Sequence, residues 1–217
     1  MLLAAKLEED DKQFTAEELY AEMSTIVFAG HETTATSLMW LFYVLATRPE
    51  IEARLLAEFD AVLGDRDPMM ADVPNLVYTN QVINEVLRLY SPAVAVSRHA
   101  IADDEVGGYV VKGGRDIFVN IIGMHTHPDY WDDPETFNPD RFAPEKMKTM
   151  HKFLFIPFLN GGRRCIGEPL ARAEMAMFVP MIMRRYRLGL RPGQTVEHEV
   201  QFVLQPKDGM PMTVERR

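Results

Sequence analysis

Apolar residues recur at helical spacing through the first ninety positions, and the pattern then changes to short alternating runs. Leu19, Met23, Ile26, Val27, Leu38, Leu41 and Leu45 keep a helical period, which predicts one long helix running to about Ala46. Thr15 and Glu18 form a capping-box pattern at its start. Thr47 and Glu50 predict a second capping box, with Pro49 in the first turn and Gly64 after the last residue, Leu63. A third helix is expected over roughly Asn75 to Tyr90, stopping at Ser91-Pro92. Beyond it, Val94 to Ala100, Tyr109 to Val111 and Asp116 to Ile122 read as strands separated by Gly and Asp turns. The stretch HPDYWDDPETFNPDRF reads as ordered coil. A helix from about Glu168 to Arg185 and two or three short strands, with a turn at Asp208-Gly209, close the chain. Helix dominates and the strands are grouped, so the fold class is α+β.

Composition narrows the function. At 47% hydrophobic and 25% charged, the chain is ordinary globular sequence with enough length for a core. A net charge of -9 argues against nucleic acid as a partner. One cysteine cannot form an internal disulfide, so a reducing, cytoplasmic setting is expected. No apolar run is long enough to span a bilayer, and the start MLLAAKLEEDDK lacks the basic opening and apolar core of a signal peptide.

That single cysteine, Cys165, lies in the glycine-rich stretch FLNGGRRCIG, Phe158 to Gly167. A lone cysteine is commonly a small buried hydrophobe. Here Gly161, Gly162 and Gly167 permit tight turns and close approach of a flat ligand. The thiol precedes a predicted helix N-terminus, and Arg163 and Arg164 add positive charge, all of which favour a thiolate. Such a thiolate could be a nucleophile or a metal ligand. A four-ligand zinc site would need further Cys or His in close spacing, and none is present. An axial bond to haem iron needs only the one cysteine.

Two further stretches stand out. In AGHETT, Ala29 to Thr34, Gly30 and two β-branched threonines weaken the middle of the long helix. Thr33 and Thr34 can bond back to carbonyls four residues earlier and bend it. A kink at a packing contact is one reading. Proton delivery by Glu32 and Thr33 beside a small ligand is the other. Glu85 and Arg88, three apart, share a helix face, where such pairs are usually solvated. Arg141 could complete a buried triad with them, as a buried carboxylate requires several donors.

Together and in this order, these motifs resemble those of the haem-thiolate monooxygenases, the cytochrome P-450 family. The loop matches F-x-x-G-x-R-x-C-x-G at Phe158, Gly161, Arg163, Cys165 and Gly167. Glu85 and Arg88 match E-x-x-R, Asn138 to Phe142 match the segment carrying Arg141, and Ala29 to Thr34 match A-G-x-E-T-T. The resemblance implies haem b with Cys165 as its iron's axial thiolate. It implies Phe158 packed near the sulfur, Arg163 and Arg98 on the propionates, and Ala29 and Gly30 leaving room for dioxygen. Glu32 and Thr33 would be the acid–alcohol pair, and Glu85, Arg88 and Arg141 would be structural. His125 would fall near the haem edge, though a lone histidine in a strand region is more often simply packed. Ala93 to Val96 and Phe202-Val203 resemble substrate-lining segments, and core packing explains them equally well. The activity implied is insertion of one oxygen atom from dioxygen into an apolar small molecule. The electrons would come from a donor protein, a ferredoxin or flavin reductase. Arg163, Arg164, Arg172, Arg184, Arg185 and Arg187 form a basic cluster that could dock it.

The family's chains are roughly twice this length, beyond the range of a single small core. Residues 1–217 therefore read as a partial domain, from the oxygen-side helix onward, with the N-terminal half absent. A fragment or a truncated frame is the expected explanation, and half of a split enzyme is the third. The contrasting functional reading is a non-catalytic remnant that self-associates through apolar surface left bare.

Overall fold

The computed structural model describes residues 13–217, so the chain start discussed above lies outside the described residues. The first helix, α1, spans Ala16–Thr47. Its N-terminus is fixed by a purely local exchange: the Glu18 amide donates to Thr15 Oγ1 at 3.2 Å, and the Thr15 amide donates to the Glu18 carboxylate at 2.7 Å. The helix has two characters. Trp40, Leu41, Val44 and Leu45 are buried, whereas Tyr20, Met23, Val27 and Phe28 are exposed.

Helix α2, Pro49–Leu63, follows after the single residue Arg48. The expected Thr47–Glu50 capping box does not form. Thr47 belongs to α1, and its hydroxyl donates back to the Tyr43 carbonyl at 2.8 Å. Gly64 ends α2 as expected, with a positive φ of 57°. Helix α3, Val77–Leu89, is shorter than expected because a 3-10 turn, Met70–Asn75, occupies the chain before it. Leu76 at its N-cap has no side-chain hydrogen bond to offer. Glu58 of α2 caps α3 instead, accepting from the Thr79 amide at 2.9 Å and the Thr79 hydroxyl at 2.6 Å.

Strands β1 (Ala95–His99), β2 (Asp104–Val106), β3 (Tyr109–Val111) and β4 (Asp116–Asn120) come next. β2 was not expected; it forms an exposed hairpin with β3, and β1 pairs with β4 antiparallel. The chain turns helical earlier than the apolar run suggests. Ile121–His125 form α4, capped by the Asn120 side chain accepting from the Gly123 amide. His125 therefore ends a short helix and not a strand. A coil, broken by the 3-10 turn Pro139–Phe142 and the single turn α5 (Pro144–Met147), leads to the cysteine loop.

Helix α6, Glu168–Met183, runs from that loop into the core. Four strands close the chain instead of two or three: β5 (Tyr186–Leu190), β6 (His198–Val200), β7 (Leu204–Pro206) and β8 (Met212–Arg216). β5 pairs with β8 and β6 with β7, both antiparallel. The architecture is α+β, with small two-stranded sheets around a helical core. Trp40 and Leu41 of α1, Leu55 and Phe59 of α2, Val82, Ile83 and Val86 of α3, and Met175 and Val179 of α6 meet there. Trp40 stacks on Tyr90 with ring centroids 4.5 Å apart, and its indole N–H donates to the Leu204 carbonyl at 2.8 Å. That bond fastens the β6–β7 hairpin to α1. Among the described residues, no helix is long and apolar enough to cross a membrane.

Candidate functional site

The segment Phe158 to Gly167 folds into a closed turn because its residue types suit one. Asn160 accepts from the Gly161 amide at 2.7 Å, Gly161 takes a φ of 72°, and Gly161–Arg163 make a 3-10 turn. Leu159 also adopts a left-handed φ of 62°, which is unusual for a bulky side chain. The Cys165 amide donates to the Phe158 carbonyl at 2.9 Å and closes the loop. Cys165 itself is free and exposed, three residues before the start of α6.

The loop and the middle of α1 face one another across a cavity of about 200 Å³. Ala29, Thr33, Thr34 and Ser37 line it from α1, Phe158 and Cys165 from the loop. Leu87, Pro92, Ala93 and Met175 complete a mostly apolar wall. Thr33 donates to the Ala29 carbonyl at 2.7 Å, the back-bond its position suggested, and Ser37 donates to the Thr33 carbonyl at 2.9 Å. A Cβ on Gly30 would meet nothing within 4 Å.

Glu32 is not among the cavity residues. It lines an open groove with Tyr20, Met23, Val27, Phe28 and His31. The acid and the alcohol of the expected pair thus border different spaces. Arg98 and Arg163 also lie outside the cavity lining. Arg98 donates to the neighbouring Ser97 carbonyl at 2.8 Å, and neither arginine has an acidic partner among the described residues.

Behind the loop, Glu85 and Arg88 are fully buried. Arg88 uses all its donors: Nε and Nη2 bond the two Glu85 oxygens at 2.7 Å each. Nη1 reaches the carbonyls of His125 at 2.9 Å and Pro134 at 2.7 Å, and Nη2 also reaches Thr136. The guanidinium lies 5.0 Å from the Trp131 ring centroid. Glu85 further accepts from the Asn138 amide at 2.8 Å. Arg141 joins more loosely, with Nε 3.5 Å from Glu85 Oε1 but no hydrogen bond from that nitrogen. The structure thus brings Glu85, Arg88 and Arg141 together, with bonds to the chain between His125 and Asn138.

His125 is part of the same assembly, as sequence reasoning did not foresee. Its Nε2 accepts from the Ile156 amide at 3.0 Å, and its ring packs against Phe155. Burial pushes its pKa down to about 4. The only hint in the sequence was an isolated histidine.

The basic cluster is for the most part already engaged. Arg164 and Arg172 both bond Glu168, at 2.8 and 2.9 Å. Burial opposes ionisation of Glu168, but hydrogen bonds from Arg172 and Arg164 outweigh it and hold the carboxyl below its ordinary value. Arg185 pairs with Asp67, and Arg184 donates to the Gly64 and Arg66 carbonyls. Arg187 lies 3.8 Å from Glu52. These pairs tie the arginines to α2, α6 and the segment after α2, while Arg164, Arg185 and Arg187 remain half-exposed or more. The Arg164–Glu168–Arg172 spacing of four was visible as a pattern, but not Asn84, which accepts from Arg172.

The cytochrome P-450 family profile matches residues 1–212, and this chain belongs to the cytochrome P-450 family. Among its relatives is the protein LUTEIN DEFICIENT 5, chloroplastic, of Arabidopsis thaliana. It is 37% identical over 207 residues, covering 94% of this chain and 35% of that protein. The cyclooctat-9-en-7-ol 5-monooxygenase of Streptomyces melanosporofaciens is 38% identical over 195 residues, covering 90% of this chain and 42% of its own length. The crystal structure of the cytochrome P450DA haem domain superimposes with a TM-score of 0.91 at 28% identity, over 100% of this chain and 48% of that one. The chain thus spans less than half the length of these relatives.

Proposed function

We propose that residues 1–217 form the haem-binding part of a haem-thiolate monooxygenase domain, in which Cys165 would hold the iron of haem b. The observation that carries this reading is the cavity shared by Cys165 and the Ala29–Thr33 turn of α1. The residues suit the group. The thiol is free, the cavity wall is mostly apolar, and among the described residues Arg98 and Arg163 have no acidic partner that would compete for two propionates. A lone thiolate donor fits haem iron better than a metal cage, and no metal-binding cluster occurs among the described residues.

Haem, when bound, supplies activation of dioxygen, so that one oxygen atom enters an apolar organic substrate with electrons from a ferredoxin or flavin reductase. The chain's own residues set the conditions. Ala29 and Gly30 offer little bulk on the α1 side. Thr33 Oγ1, now donating to the Ala29 carbonyl, holds a proton at the cavity wall. Glu32, in the neighbouring open groove, would be the acid member of the pair. Phe158 packs beside the sulfur, and Gly167 adjoins it, since a Cβ there would lie at an ordinary contact distance of 3.7 Å. Glu85, Arg88 and Arg141 hold the coil in place.

The test is the absorption spectrum of the reduced, carbon-monoxide-bound chain expressed with haem supply. A red-shifted Soret band is expected, lost in Cys165→Ser. An unchanged spectrum in that variant rejects Cys165 as ligand. In a complete enzyme context, Thr33→Ala should uncouple electron consumption from product, and equal coupling would remove the threonine from proton delivery.

A second reading, an inactive half that self-associates, is favoured by one observation: Tyr20, Met23, Val27 and Phe28 lie exposed along α1. Sedimentation velocity separates the two. A haem-loaded monomer defeats the second reading, and a haem-free oligomer defeats the first for this chain alone.

A further inference from the structure

Arg172 stands on the first turns of α6, and its side chain is only 26% exposed. Three groups hold it. Nε donates to Glu168 at 2.9 Å, and Nη1 donates to Asn84 Oδ1 of α3 at 2.8 Å. The guanidinium plane lies 5.1 Å from the centre of the Phe158 ring. Asn84 directly precedes Glu85, so it sits on the stretch of α3 that the buried Arg88 cluster makes rigid. Phe158 in turn provides the carbonyl that accepts the Cys165 amide.

We propose that Arg172 is a positioning residue for Cys165: anchored to α3 through Asn84, it clamps the Phe158 ring and so fixes the turn that presents the sulfur. The proposal rests on the reading of Cys165 as the haem ligand for its functional consequence, but the clamp itself does not need haem. A solvent-facing arginine would add little here. This one has its planar fork matched to two acceptors on different helices, which restricts its position, and its face is turned to an aromatic ring. Lysine keeps the charge but cannot reproduce the fork. With Nε and Nη1 engaged in this way, Arg172 makes this contribution inside the molecule.

The full chain tests this in two arms. In the first, hydrogen exchange of the Cys165 amide is followed in the haem-free protein. Arg172→Leu is expected to speed it roughly tenfold, and Asn84→Ala by a smaller factor, while exchange in α2 and β8 stays as in the parent protein. Arg172→Lys should resemble Asn84→Ala. Unchanged exchange at Cys165, or an equal rise throughout the fold, overturns the clamp. In the second arm, the haem-loaded protein is titrated for its reduction potential. Arg172→Leu is expected to shift it, and the same substitution made on a Phe158→Ala background is expected to have no further effect. Equal shifts with and without the ring overturn the route through Phe158. If the parent chain takes up no haem, the monooxygenase reading fails and the exchange arm alone decides the clamp.

Discussion

Two carboxylate–guanidinium clusters support the approach to the cysteine loop and its exit, built from the same residue types at helical spacing. In one, Glu85 and Arg88 are three apart and fully buried. In the other, Arg164, Glu168 and Arg172 are four apart, and Arg164 is 64% exposed. The buried cluster reaches through Arg88 to three backbone carbonyls, one at the end of α4 and two in the coil after it, so it is a joint between distant parts of the chain. The half-exposed cluster ties the loop to its own following helix, with one longer reach to Asn84. The difference lies in what happens when a partner is removed. A buried ion left alone has no water to turn to, whereas an exposed one is rehydrated.

Glu85→Ala sharpens this contrast most. It leaves the buried Arg88 without its counter-ion, and unfolding by urea should show a loss of about 3–5 kcal/mol or no folded protein at all. A near-parent midpoint would show that water reaches the site.

Lowering the pH loads the same joint from another side. His125 gives its carbonyl to Arg88 and its ring nitrogen to the Ile156 amide, so it must stay neutral. Its pKa falls from 6.5 to about 4 on folding. The unfolded chain therefore takes up the proton first, and stability drops as pH falls from about 6.5 to about 4. The loss is on the order of 3 kcal/mol, levelling off below. His125→Gln should flatten that part of the profile, measured by thermal unfolding across the range.

Glu168→Gln is the matching change in the half-exposed cluster. It should cost under about 1 kcal/mol, and the cost should shrink further in high salt. A loss as large as that of Glu85→Ala would erase the distinction between the two clusters. Leu159→Asn should have the smallest effect, within about 1 kcal/mol, because asparagine tolerates the left-handed conformation that leucine holds there. Thermal unfolding of that variant checks it.

What could be read from the chain follows the range of each interaction. The Thr15–Glu18 box was legible because both partners sit within one turn. The similar-looking Thr47–Glu50 pattern misled, because α1 runs on through Thr47 and leaves Arg48 as the junction. The E-x-x-R spacing placed Glu85 and Arg88 on one face, but not in the interior. The role of His125 was not legible, since its partners lie at Arg88 and Ile156, 37 and 31 residues away. The Arg172–Asn84 contact joins positions 88 residues apart. Nothing local marks either residue for the other.

The sequence by itself determined the helical period, the turn chemistry around Cys165, the α+β class and the motifs that place the chain in its family. Those depend on neighbours within a few residues, or on residue types at fixed offsets. Tertiary structure alone decided that Cys165 and Thr33 share a cavity while Glu32 does not. It also decided that one acid–arginine pair is fully buried and the other partly exposed, and that most of the basic cluster is paired within the chain. Burial and long-range partners set the energy of a charge, and both are properties of the packed chain.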